Sequence, residues 1–241
     1  MMVSEKLSID IYISSINIKT PVVMFLLDTQ MQTYIYFHIC RMNNWKEIVE
    51  KLWTDIRANG LYDKVTEIRA VAVGETKETP PVFFSDPKFR LLHETDDKSN
   101  FERSTLNLLY LHSADAIDDF HVLYIHSKGV QHNNTNTAVT DWTKYLSYFN
   151  IYKHEQCIRA LAHNDAVGVN LSKAPQVHFS GNFWWSTSSH IRALGICDDT
   201  SYNGPEFWIT KKETGVYKSL WESGVNHYNQ RYLPDKYVDK I

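Results

Sequence analysis

Val122-Leu-Tyr-Ile-His-Ser-Lys-Gly129 is the stretch that decides the fold. Four apolar residues rich in β-formers and free of alternation read as a strand covered on both faces, the pattern of a parallel sheet sandwiched by helices. The strand stops abruptly in His126, Ser127 and Lys128, and Gly129 permits a tight turn. Working outward, Tyr34 to Ile39 is a second such run. Asn43 and Asn44 are candidate caps for a helix carrying Trp45, Ile48, Val49, Leu52 and Ile56, which Gly60 stops. Further strands are expected at Ile68–Val73, Phe89–His93, Ala166–Leu171 and His178–Ser186. Ser99 and Glu102 have capping-box spacing ahead of a helix with Leu106, Leu109 and Tyr110. Thr140 is a plausible cap for a helix with Trp142, Tyr145, Leu146 and Phe149, and a short helix is expected near 189–194.

Strands alternating with helices predict an α/β fold with a mostly parallel central sheet flanked by helices. Ligands in such sheets bind beyond the carboxyl ends of the strands. Composition excludes several other classes. The 241 residues are 43% hydrophobic and 22% charged, with a net charge of −3, so neither disorder nor a polybasic nucleic-acid or membrane surface is indicated. No apolar run approaches the roughly 20 residues of a membrane span. The N-terminal residues do not read as a signal peptide, because Glu5 and Asp10 interrupt them, and a cytoplasmic location is expected. Cys40, Cys157 and Cys197 are scattered, without zinc or disulfide spacing. The glycine cradles of dinucleotide and P-loop sites are missing, as are hydrolase-elbow, zincin and kinase motifs.

Three features carry chemistry. His126 and Lys128 at the end of a central strand suit an anion such as a diphosphate; alternatively, Lys128 is a solvated loop residue and His126 a structural hydrogen-bonding one. His178-Phe-Ser-Gly-Asn-Phe-Trp-Trp185 holds adjacent tryptophans, whose side chains alternate along a strand. One ring is therefore expected to face the cleft or solvent, where Trp184 or Trp185 beside Ser180, Gly181 and Asn182 would suit a sugar; packing of both rings in the core is the alternative. Glu206, between Gly204-Pro205 and Phe207-Trp208, suits a general base, with helix N-terminal placement as the plainer reading. Asp141 and Asp198-Asp199 are competing carboxylates. Asp118-Asp119 reads as a solvated turn.

At these residues the chain resembles the GT-A-type glycosyltransferases of large DNA viruses and bacterial polysaccharide loci. The shared pieces are Tyr124 to Gly129, Asp141-Trp142, His178 to Trp185, Glu206 to Trp208, Tyr34 to Gly60 and Glu102 to Leu106, so the likeness spans roughly residues 34 to 210. The resemblance implies a single GT-A domain over 34–241, with a nucleotide-binding half at about 34–130 and an acceptor half at about 139–241, preceded by an extension at 1–33. It implies transfer of a sugar from a nucleotide-sugar donor, most often a UDP-sugar, to a glycan or glycoprotein hydroxyl, in the host cytoplasm if the chain is viral. In this reading Glu206 is the base of an inverting displacement, with a retaining reaction as the alternative. His38, Arg41, Asn43, His126, Ser127, Lys128 and Gly129 hold the nucleotide and diphosphate. Asp141, Trp142, His178, Ser180, Gly181, Asn182, Trp184 and Trp185 hold sugar or acceptor. The family's metal-binding Asp-x-Asp is replaced by His126-Ser-Lys128, so no metal is expected to be required, although Mn²⁺ or Mg²⁺ stays open. The rival expectation is a carbohydrate-binding module without catalysis.

Overall fold

A parallel strand must be followed by a crossover, and the alternation of buried runs with amphipathic segments supplies one after each of the first strands. The computed structural model describes residues 31–75 and 78–240, so most of the extension expected at 1–33 lies outside the described residues. The compact unit Met31–Ile241 contains β1 (Gln32–Cys40), α1 (Trp45–Ala58), α2 (Leu61–Lys64), β2 (Glu67–Val73), β3 (Phe89–Thr95), α3 (Arg103–Asp115) and β4 (Phe120–His126). Then follow α4 (Thr137–Ser147), a π-helical turn at Tyr148–Tyr152, α5 (His154–Ala160), β5 (Ala166–Gly168), β6 (Leu171–Ser172), β7 (His178–Phe179) and β8 (Trp184–Thr187). The chain continues through α6 (Ser188–Leu194), α7 (Gly204–Trp208) and β9 (Tyr217–Ser219).

The main sheet has seven strands in the order β3-β2-β1-β4-β8-β5-β9. Four of its pairings are parallel, and only β8 runs antiparallel to its neighbours β4 and β5. This is the mixed α/β architecture with a mostly parallel sheet read from the sequence. Both faces are covered. Ile35, Phe37 and Ile39 of β1 join α1 and α4 in one core, while Tyr34 and Tyr36 face α3, α6 and α7 in the other.

The expected strand at His178–Ser186 is instead two short strands in different sheets. Gly181 (φ 95°) and Asn182 (φ 54°) both take left-handed backbone and reverse the chain between β7 and β8. Asn170 (φ 50°) likewise separates β5 from β6. Cap assignments also differ. Asn136 caps α4, accepting from the amides of Ala138 and Val139, so Thr140 lies inside the helix. Asn44 precedes α1 without a capping bond. Glu102 takes the cap position of α3 but makes no capping bond with its side chain.

Trp184 and Trp185 point to opposite faces, as alternation requires, yet both rings are fully buried because each face is covered by helices. Trp184 stacks on Tyr124 at 4.9 Å. Trp185 donates its indole N–H to Asn150 O at 2.8 Å. Neither ring is available as a sugar platform. Trp185→Ala is expected to cost about 3–5 kcal/mol in a urea titration. Ile117→Ser, at a fully exposed position, should stay within about 0.5 kcal/mol.

Candidate active site

The sheet grows from β1 through β2 to β3 on one side, and the chain then crosses back to lay β4 on the other side of β1, so a crevice opens where the order reverses, beyond the carboxyl ends. A cleft of about 330 Å³ lies there. Its floor is built by His38 and Cys40 from β1, Val73 from β2, and His126 to Val130 from the end of β4. Lys98, Phe101 and Glu102 line it from just before α3, Asn182 from the turn, Tyr202, Asn203, Pro205 and Glu206 from around the start of α7, and Tyr228 from the C-terminal segment.

Glu102 is the best-anchored carboxylate of the cleft. One oxygen accepts from Tyr124 Oη at 2.7 Å and from Asn182 Nδ2 at 2.6 Å. The other lies 3.5 Å from His126 Nδ1. Burial pushes its pKa upward, but the neighbouring histidines, the Tyr124 hydroxyl and Lys128 outweigh this and leave it below the ordinary carboxylate range. Glu102 is therefore an ionised group beside the cleft, and the capping-box spacing with Ser99 concealed it.

Lys128 reaches into the same space. Its ammonium sits 4.1 Å from the Trp142 ring centroid and 5.6 Å from that of Tyr228, with no ion pair or hydrogen bond to another described residue. An aromatic face attracts a cation without neutralising it. Burial lowers the Lys128 pKa, and the charges of Glu206 and Glu102 oppose that shift. Trp142 thus serves beneath the lysine rather than as a contact for sugar. It is buried and stacked on His227 at 5.2 Å.

His126 lines the cleft, but its ring is engaged within the protein. Nε2 lies 3.0 Å from Gly181 O and Nδ1 faces Glu102. Burial lowers its pKa, Glu102 opposing and Lys128 reinforcing the shift. His38 is bound through Nδ1 to Thr105 Oγ1 at 2.9 Å, and burial brings its pKa down to about 4. Ser127 Oγ accepts from Cys40 N at 2.9 Å, locking the ends of β1 and β4 together. Gly129 (φ 90°) turns the chain past Lys128. Glu206 accepts from Gly181 N at 3.1 Å and lines the cleft.

The remaining expected residues are used elsewhere. Arg41 is buried and paired with Glu94, its guanidinium 5.7 Å from the Trp45 ring. Asn43 donates to Val130 O at 2.8 Å and so ties down the loop after β4. Asp141 is buried on α4 in ion pairs with Arg231 (2.6 Å) and Lys144 (3.4 Å), away from the cleft lining. His178 bonds Gln176 O at 2.8 Å and packs edge-on to Phe207. Ser180 is held by its amide on Asn170 O at 3.0 Å. Asp199 accepts from Ser201 N at 2.8 Å, outside the cleft. Asp118 and Asp119 are both exposed, as read from the sequence, and Asp119 also accepts from Ser188 Oγ at 2.8 Å and pairs with Arg192.

A hard divalent cation wants six or more oxygen ligands. The strand end offers an imidazole, a hydroxyl bound to an amide, and an ammonium. Among the described residues no group of three or more His, Cys, Asp or Glu is arranged to hold a metal ion. The strand end itself is poor in oxygen donors, and the carboxylates of the cleft are Glu102 and Glu206.

Fold and site together define the class: a mixed α/β protein with a mostly parallel sheet and a cleft of mixed charge at its carboxyl edge. Residues 38–204 match the family model "Domain of unknown function (DUF8361)", and the chain belongs to that family. No curated protein matches it. Similar solved structures include a protein provisionally assigned as a nucleotide-diphospho-sugar transferase from Desulfovibrio desulfuricans G20, with 9% identity, a TM-score of 0.42, and 80% of this chain and 81% of that one covered. HddC from Yersinia pseudotuberculosis gives 9% identity and a TM-score of 0.42 over 80% and 91% of the two chains. A 4-diphosphocytidyl-2C-methyl-D-erythritol synthase gives 9% and 0.44 over 86% and 96%. No helix among the described residues is long and apolar enough to cross a membrane.

Burial holds His38, His112 and His227 each at about 4, below the ordinary 6.5. The folded state therefore refuses protons that the unfolded chain accepts. Stability should be level above about pH 6.5 and fall as the pH drops toward 4, by up to about 1.4 kcal/mol per pH unit for each histidine. Urea midpoints measured from pH 7.5 to 4.5 check this, and equal stability at pH 7 and 5 would contradict it.

Proposed function

We propose that the protein is a glycosyltransferase that moves a sugar from a nucleotide-diphosphate donor, of the UDP-sugar type, to a hydroxyl of a glycan or glycoprotein. The observation that carries this reading is the Lys128 ammonium at the end of β4, without an ion pair or hydrogen bond to another described residue, in the same cleft as the Glu206 carboxylate. One group suits a departing diphosphate and the other an attacking hydroxyl. In a single displacement the acceptor oxygen bonds to the anomeric carbon while the bond from that carbon to the diphosphate oxygen breaks. The electron pair leaves with the nucleoside diphosphate, and Lys128 stabilises the charge that grows there. Glu206 accepts the proton of the acceptor hydroxyl, which gives inversion. The reaction requires no metal in this reading, since Lys128 takes the charge-stabilising task.

His38, Cys40, Val73 and Lys98 would flank the nucleoside, and Gly129 the diphosphate. Asn203, Tyr202 and Tyr228 would flank the acceptor, taking the place expected of the tryptophans. The module without catalysis relied on an exposed tryptophan, and both are core residues.

A thermal-shift screen of nucleotide sugars is expected to find a stabilising donor, worth about 2.7 kcal/mol at a hundred times its Kd. Lys128→Met should weaken donor binding by about 1.5–3 kcal/mol. Donor consumption should persist in EDTA. Strict dependence on Mn²⁺, or the absence of any binding donor, overturns the proposal. Glu206→Gln should keep donor affinity and lose turnover by about 10²–10⁴-fold; a fully active variant would remove the base assignment.

A further inference from the structure

His126 and Glu102 border the cleft, yet the mechanism gives neither a task. Their partners converge on one turn. His126 Nε2 meets Gly181 O at 3.0 Å. A carbonyl can only accept, so the imidazole donates from Nε2. Glu102 accepts from the side-chain amide of Asn182 at 2.6 Å, and the other end of that amide accepts from Trp184 Nε1 at 2.9 Å. Asn182 N closes the turn onto Phe179 O at 2.9 Å. A Cβ on Gly181 would lie 2.8 Å from Leu146 Cδ1 and 3.0 Å from Trp142 Cζ2, so the residue is wedged against α4 as well. The free product of this clamp is the Gly181 N–H, which points to Glu206 Oε1 at 3.1 Å.

We infer that His126 and Glu102 are positioning residues that fix the Gly181–Asn182 turn, and that the turn in turn aims the Glu206 carboxylate through the Gly181 amide. His126 is accordingly not a phosphate ligand. The inference rests on the transferase reading only for the task of Glu206; the placement of that carboxylate can be tested without turnover.

The two amide replacements of His126 separate the roles. His126→Gln keeps a donor near the place of Nε2, whereas His126→Asn keeps one only near Nδ1 and leaves Gly181 O unpaired. The Gly181 backbone amide, observed by NMR, is the readout without activity. Glu206→Gln, which removes the charged acceptor, sets the reference shift. The amide should remain near its wild-type position in His126→Gln and move toward the Glu206→Gln position in His126→Asn. With a donor in hand, kcat should fall about a hundredfold in His126→Asn and recover at least tenfold in His126→Gln, with donor affinity equal in both. A Gly181 amide unmoved in His126→Asn overturns the inference. So does a tenfold loss of UDP affinity in both variants, which would make His126 a phosphate ligand. If no nucleotide sugar binds the wild type, the transferase reading fails while the amide shifts still decide the positioning.

Discussion

A carboxylate at the edge of a buried sheet is costly unless donors are supplied, and the cleft is organised around that requirement at Glu102. The Tyr124 hydroxyl comes from β4, the Asn182 amide from the turn before β8, and the carboxylate itself from the start of α3. One ionised group thus joins three segments distant in sequence. Removing it would leave a buried hydroxyl and a buried amide without their shared acceptor, a larger penalty than the loss of an ordinary hydrogen bond. Glu102 also places a negative charge near Lys128, which helps the ammonium stay charged.

The sheet and the position of the cleft were legible because they rest on local pattern. Val122 to Ile125 are apolar on successive positions and Tyr34 to Ile39 are so except at His38, as suits a strand covered on both sides, and the polar residues that follow then lie at an edge. What could not be read was how side chains are shared between segments. Arg41 and Asn43 directly follow a strand, as ligand-binding residues do, but Glu94 and Val130, far along the chain, claim them. The tryptophan pair misled for a related reason. Alternation correctly sends the rings to opposite faces, but in a sheet covered on both sides either face is core, so neither ring reaches the cleft. Glu102 carried a signal that pointed the wrong way, since capping-box spacing is also satisfied by a carboxylate that turns from its helix toward a tyrosine.

The lysine shows how the core shapes the cleft. Trp142 belongs to the core between the sheet and α4, and its outer face becomes the seat of Lys128. The helix that buries the sheet therefore also sets the height of the ammonium in the cleft. Asp141, next to Trp142 and buried, is neutralised by Arg231 and Lys144, so its charge does not compete for Lys128.

His227 and Tyr228 belong to the segment that follows β9, and they close over Trp142 and Lys128 from above. Lys128 and its cover are thus distant in sequence, and the two rings displace water from around the ammonium, so that one positive charge acts there in surroundings of lower dielectric.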